Sequence, residues 1–222
     1  MSQRDSLARP RVAVDSVLFA VEGGRLKCLL VQLQRGAASG RWAFPGGLVR
    51  AGEQLDEAAR RELRATTGLG RACLEQLFTF GDPKRDPRGH VVSVAYMALI
   101  ADAAAVRAPA GKYAASRWFE VSRLPPLAYD HRLMADYAVR RLKAKLGYTN
   151  IAYNLLPESF TFAELEELYA AILGRPLDRR NFRRRILGMG LLRELPAKRR
   201  GRHRPAALYR FARRVPQVVE VL

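Results

Sequence analysis

The chain has 222 residues, 49% of them hydrophobic, and a formal net charge of +18. That length and apolar content suit one large domain or two modest ones and exclude disorder as the main state. The longest apolar runs, such as Val91 to Ile100, stop well short of the roughly 20 residues that cross a bilayer. No apolar stretch follows the charges of the N-terminus, so a cytoplasmic protein with no membrane partner is expected. Cys28 and Cys73 lie in apolar segments without CxxC spacing and are expected to be buried, reduced thiols.

The first half reads as alternating strands and helices. Arg11 to Val21 and Leu26 to Leu33 form a hairpin turned by Gly23-Gly24. A Gly-rich loop, Gly36 to Gly40, leads into Trp42-Ala-Phe-Pro-Gly-Gly47. Leu55, Ala59 and Leu63 then recur at helical spacing until Gly68 closes the helix. Strands follow at Leu74 to Phe80 and Val91 to Ile100, separated by a polar Pro/Gly/Asp loop from Gly81 to His90. A short strand near Arg117 to Glu120 precedes a helix capped by Asp130, with Met134, Ala138, Leu142 and Leu146 on one stripe. The first domain is expected to span residues 1–147 and a second domain residues 148–222.

The second half has a different pattern. Thr161-Phe-Ala-Glu164 is a capping box, with Phe160 and Leu165 placed to staple the entry of a helix that runs to Gly174. Asp178 caps another helix with an inner stripe of Phe182, Ile186 and Met189, from which Arg180, Arg183 and Arg184 point away, while Arg179 sits in its first turn. Strands at Leu191 to Leu195 and Ala206 to Phe211 flank a basic tip. This order of helix, turn, basic helix and basic-tipped hairpin is that of a winged helix-turn-helix. From Arg175 to Arg214 there are fifteen Lys or Arg against two acids, Asp178 and Glu194. Such clustering favours a polyanion site over an ordinary solvated face. The candidate DNA-binding residues are Arg179, Arg180, Arg183, Arg184, Lys198, Arg199, Arg200, Arg202 and Arg204.

The segment Gly47-Leu-Val-Arg-Ala-Gly-Glu53, followed by Arg61-Glu62-Leu63 and Gly68-Leu69, resembles the Nudix box, and Phe44-Pro45-Gly46 in front of it strengthens the match. The resemblance implies an α/β fold, a mixed α/β sandwich over roughly residues 10–147. It also implies pyrophosphate hydrolysis assisted by divalent cations on carboxylates at positions 62, 65 and 66, which share one helix face. Here those positions hold Glu62, Ala65 and Thr66, and two of the three expected acids are missing. Neither catalytic residues nor metal ligands nor a cofactor are expected, and the residual Glu53 and Arg61 are as readily structural as functional. What survives is a way to hold a phosphate without cutting it. Gly46 and Gly47 permit close backbone approach, and Arg41, Arg50, Lys84, Arg85 or Arg88 could pair with a diphosphate. Trp42, Phe44 and Phe80 are aromatics that either stack on a base or belong to the core. The effector-binding set is Arg41, Phe44, Gly46, Gly47, Lys84, Arg85 and Arg88.

The loop from Gly81 to Ser93, Tyr129-Asp-His131, Asn150 to Leu156 and the Gly201 to Pro205 wing, in this order around a degenerate Nudix box, resemble the Nudix-related transcriptional regulators, the NrtR family. The resemblance implies a repressor, usually of NAD-metabolism genes, that binds double-stranded operator DNA as a homodimer and senses ADP-ribose or a related nucleotide. Some members of that family govern sugar utilisation instead. The alternative from another class is an ADP-ribose pyrophosphatase with a nucleic-acid-binding appendix, its metal site rebuilt from Glu53, Glu57 and Glu62. A basic RNA-associated protein is disfavoured, because the charge is organised as helix plus wing rather than as tails.

Overall fold

The computed structural model describes residues 9–70, 73–107, 112–199, 205–219 and 221. Its contacts divide the chain into two compact units: Met1–Phe19, Cys28–Ala98 and Ala104–Ala138 make the first, and Ala20–Lys27, Leu99–Ala103 and Val139–Leu222 the second. No helix among the described residues is long and apolar enough to cross a membrane.

The first unit is built on a seven-stranded sheet. Strands β1 (Arg11–Glu22) and β2 (Arg25–Leu33) are joined through Gly23 and Gly24, both at positive φ, as a tight hairpin turn of matching twist requires. β1 is buried continuously from Ala13 to Ala20, the mark of a strand covered on both faces. Two short strands follow, β3 (Trp42–Ala43) and β4 (Gly46–Leu48), and β4 lies antiparallel to β1 with Val14 opposite Gly47 and Asp15 opposite Gly46. Helix α1 (Leu55–Thr67) starts on a capping box of Gln54 and Glu57 and ends at Gly68 in the left-handed region. Its Ala58 and Ala59 pack with Val14, Val94 and Tyr96.

Strands β5 (Leu74–Phe80), β6 (Val91–Leu99) and β7 (Tyr113–Glu120) complete the sheet in the order β3-β2-β1-β6-β5, with β4 on β1 and β7 on β2. β7 begins at Tyr113, ahead of the expected Arg117, since Ala114-Ala-Ser116 carries no apolar alternation to announce it. Cys28 is buried as expected, but Cys73 is exposed, because it stands just ahead of β5 at the sheet's edge.

Helix α2 (His131–Tyr148) keeps the predicted stripe, with Met134, Ala138, Leu142 and Leu146 all inaccessible. The chain passes from the first compact unit to the second within α2, between Ala138 and Val139.

In the second unit a 3-10 turn (Ile151–Asn154) precedes β8 (Phe160–Thr161), α3 (Phe162–Leu173), α4 (Arg179–Gly188), β9 (Leu192–Arg199) and β10 (Ala206–Phe211). The three strands form a sheet in the order β8-β10-β9. Thr161 and Glu164 make the reciprocal capping box, the Thr161 amide donating to Glu164 Oε2 at 2.6 Å. The Asn181 amide donates to Asp178 Oδ1 at 3.1 Å, a cap worth about 1 kcal/mol. Met189, expected on the inner stripe, instead caps the C-terminus of α4. β9 runs on to Arg199 past Pro196: Leu195 pairs with Leu208 and Lys198 with Ala207, so Pro196 and Ala197 bulge out of the ladder, which a proline tolerates.

Candidate functional site

The first unit holds a cavity of about 330 Å³ walled by β1, β4, the loop after β5, the start of β7 and the entry to α2. Two glycines set its floor. A Cβ on Gly46 would lie 2.1 Å from Asp15 Oδ1 and 2.4 Å from the Val14 carbonyl oxygen, and one on Gly47 would lie 2.3 Å from Glu62 Oε1. Only glycine lets β4 sit so close to β1 and α1.

Arginines and carboxylates line the same cavity in pairs. Arg85, its side chain 3% exposed, donates to both carboxylate oxygens of Asp130 at 2.9 and 2.6 Å and lies 3.9 Å from Asp15. Asp130, expected as a helix cap, thus spends both oxygens on Arg85. Arg88 is clamped on Asp86 at 2.6 Å, which holds that buried carboxyl below its usual range, yet Arg88 remains 48% exposed on the cavity wall. Its guanidinium lies 5.6 Å from the centre of the Tyr129 ring. Tyr129 is the one non-glycine at positive φ among the described residues, a strained backbone at a cavity wall.

His131 is buried, and its Nδ1 accepts the Phe44 amide at 2.9 Å, so the ring is neutral with its proton on Nε2. Burial depresses its pKa, against the pull of Asp15 at 3.7 Å. Phe44 stacks on this imidazole and is only 1% exposed. Its ring lines the back of the cavity.

The Nudix-type helix shows what became of the box chemistry. Arg61 donates to both oxygens of Glu53 at 2.6 and 2.7 Å and to Glu62 Oε1 at 2.5 Å. The Arg50 amide also donates to Glu53, and Arg61 with Arg50 holds that carboxyl down at about 2. Glu57 is occupied at the helix cap. Thr66 is buried and returns its hydroxyl to the Glu62 carbonyl at 2.8 Å, while Ala65 is exposed. Lys112 donates to Glu62 Oε2 at 2.7 Å and to the Gly46 carbonyl at 2.5 Å. Burial opposes the Lys112 charge, but Tyr113 and Glu62 outweigh it and raise its pKa. Among the described residues no three His, Cys, Asp or Glu are placed to hold a metal ion. The donors therefore do not fit the divalent cation that a Nudix box implies: each surviving carboxylate of the box already faces an arginine or a lysine.

Of the expected effector residues, Phe44, Gly46, Gly47, Arg85 and Arg88 meet at the cavity. Arg41 and Lys84 instead line a neighbouring hollow, with Arg85 between the two. Asp15, Asp86, Lys112, Tyr113, Tyr129 and His131 are wall residues that reasoning about the box and its cations did not select. Tyr129 and His131 stood in a quoted motif, but nothing in their spacing marked them as facing a pocket.

In the second unit the basic residues divide. Arg180 and Arg184 stand exposed on α4, Arg184 touching only its neighbour Asn181 at 2.8 Å among the described residues. Arg179 lies 3.9 Å from Glu166. Arg183 is also exposed, and its guanidinium sits 4.5 Å over the Phe162 ring and donates to the Tyr209 hydroxyl at 3.0 Å. Lys198 and Arg199 lie on β9 instead of in the tip, and Arg199 pairs with Glu164 at 2.5 Å. Arg200, Arg202 and Arg204 fall outside the described residues. Arg214, part of the same basic stretch, caps the carbonyls of Tyr153, Leu156 and Pro157.

Comparisons with known proteins bear on both units. Residues 9–142 match the NUDIX domain model and residues 152–211 the NrtR DNA-binding winged helix domain model. The chain is 36% identical over 214 residues, 95% of its length and 85% of the relative's, to the ADPR responsive transcriptional repressor NtrR of Acinetobacter baylyi. It is also 36% identical over 130 residues to an ADP-ribose pyrophosphatase of Methanocaldococcus jannaschii, covering 58% of this chain and 73% of that protein. Among solved structures, Shewanella oneidensis NrtR complexed with a 27mer DNA matches with a TM-score of 0.78 at 34% identity, covering 90% of this chain and 93% of that one. The NUDIX domain of the same protein complexed with ADP ribose matches with a TM-score of 0.57 at 32% identity, over 63% of this chain and 94% of that domain.

Proposed function

From the premise that this chain belongs to the NrtR family, a NUDIX domain followed by an NrtR winged helix, we propose that it is a DNA-binding transcriptional repressor whose Nudix domain senses ADP-ribose. The observation that carries the reading is the pairing, in one chain, of a winged helix with exposed arginines on α4 and a cation-bearing cavity on a Nudix scaffold. The full-length relative is a repressor named for its response to ADPR, whereas the pyrophosphatase relative shares only the Nudix part.

On this reading the protein acts in the cytoplasm as a homodimer on a palindromic operator, because a single winged helix reads a short stretch of major groove and two-fold pairing doubles the contacts. Arg180 and Arg184 reach base edges and Lys198 a phosphate. NAD-metabolism genes are the proposed targets.

In the cavity, Arg88 and Lys112 supply charge for a diphosphate, and Gly46 and Gly47 allow it close to the backbone. Arg85 positions the Asp130 end of α2. The Nudix domain binds without appreciable hydrolysis, since its carboxylates are already neutralised by Arg61 and Lys112. Fluorescence anisotropy with duplex DNA from upstream of the protein's own gene tests this directly. Specific, salt-sensitive binding that ADP-ribose weakens is expected, and binding indistinguishable from random duplex would overturn it. A phosphate-release assay on ADP-ribose with Mg²⁺ is expected to show no turnover above background, and turnover abolished by Glu62→Gln would restore the pyrophosphatase reading.

A further inference from the structure

The family fold brings with it a divalent cation that these residues do not fit, and the misfit has a specific form. Lys112 sits between two oxygens, Glu62 Oε2 at 2.7 Å and the Gly46 carbonyl at 2.5 Å. One comes from α1 and the other from β4, so a single ammonium bridges the helix that carries the box and the strand that floors the cavity. A carboxylate and a backbone carbonyl converging from two elements are the hard oxygen donors that a divalent cation would take. The same ammonium lines the cavity, its side chain 50% exposed, on the wall it shares with Arg88.

Three further observations point the same way. Glu62 is only 10% exposed, so its charge needs a partner, and Arg61 takes its other oxygen. Gly47 leaves no room for a side chain against that carboxylate, so the group is held in place from three sides. The Tyr113 hydroxyl also donates to the Gly46 carbonyl, at 2.9 Å, which saturates that acceptor.

We propose that Lys112 serves as a built-in cation in the place of a divalent metal, making anion binding in this cavity independent of metal ions. A tethered ammonium is always present at its site and carries one charge, with no coordination sphere in which to activate water. It can hold a diphosphate but cannot generate a metal-bound nucleophile. Exchange of metal for lysine thereby accounts for retention of the cavity alongside loss of Ala65 and Thr66 as acids. The nucleotide part of this inference rests on the ADP-ribose reading above, whereas the cation part does not.

The test has two arms on the full chain. In the first, ADP-ribose affinity is measured by calorimetry in EDTA and in excess Mg²⁺. Equal affinities are expected for the unaltered protein, and Lys112→Met should lose about tenfold or more in EDTA, the worth of one charge-assisted hydrogen bond. Dependence of the unaltered protein on Mg²⁺, or an unchanged affinity in Lys112→Met, would overturn the proposal. In the second arm, Mn²⁺ alone is titrated by electron paramagnetic resonance. The unaltered protein should bind no more Mn²⁺ than Glu62→Gln does. One Mn²⁺ per chain that Glu62→Gln abolishes would show that a metal shares the site with the lysine, and would overturn the proposal without any nucleotide. Absence of ADP-ribose binding in both buffers would instead remove the effector reading, leaving the Mn²⁺ arm to decide the role of Lys112.

Discussion

The inner face of α1 and the outer face of α4 treat charge in opposite ways. Around α1, Arg61 and Glu62 on the helix, Glu53 ahead of it and the incoming Lys112 form a closed set in which every charge has a partner within 2.7 Å. On α4, Arg180 and Arg184 face solvent with no carboxylate paired to either among the described residues. The carboxylates of such a set are inert, since one already bonded to arginine and lysine is a poor general base and a poor metal ligand, while Lys112 keeps an exposed side toward the cavity. An open set carries a mutual repulsion that an external polyanion relieves. The contrast explains how a chain with a hydrolase-like box can bind through two different surfaces.

The largest expected effect attacks the closed side. Gly46→Ala drives a methyl group into the Val14 carbonyl and Asp15, and should destabilise by about 3 kcal/mol or more in chemical denaturation. A variant with ordinary stability would show that the floor of the cavity can relax. On the open side, Arg180→Ala or Arg184→Ala should each cost about 1–3 kcal/mol of operator affinity, with little change in melting temperature. Arg183→Ala sharpens the distinction. It gives up a ring contact and a hydrogen bond, so it should lose about 1 kcal/mol of stability and weaken specific and random duplex alike. Selective loss of operator binding without destabilisation would return Arg183 to the base-reading set.

A smaller effect separates the units by pH. His131 has an ordinary value of 6.5 that burial depresses in the folded chain. Above 6.5 both folded and unfolded forms are neutral and the stability is complete. As pH falls below 6.5 the unfolded chain takes the proton first, so stability declines, by at most about 1.4 kcal/mol per pH unit for one group. His131→Asn should flatten that limb of the stability profile, while an unchanged slope would show that other groups set it. Smallest of all, Arg199→Ala breaks a substantially exposed pair with Glu164 and should cost about 0–1 kcal/mol of stability.

Legibility in the sequence followed the length and regularity of each signal. The box spacing, the Thr161–Glu164 capping box, the stripe of α2 and helix α4 were readable because each repeats a period or a cap over many residues. β3, β4 and β8 were not, being two or three residues long and defined by their partners. At the site, Ala65 and Thr66 stood out in the sequence as departures from the acids that the resemblance to the Nudix box implies. Lys112 was invisible, because it reaches Glu62 across 50 positions of sequence and stands in no motif. The contacts of Arg183 were hidden for a related reason: helical projection gives the direction of Cβ, and a long side chain can still reach Phe162 and Tyr209.

Occupation of the Nudix cavity and occupation of DNA are linked in one chain on the proposed reading. Linkage is reciprocal, so the factor by which ADP-ribose lowers operator affinity must equal the factor by which operator lowers ADP-ribose affinity. Calorimetric titration of ADP-ribose into the free protein and into its operator complex measures that factor directly. The account predicts weaker binding to the complex by about 5- to 150-fold. Equal affinities for the free and DNA-bound protein would contradict it.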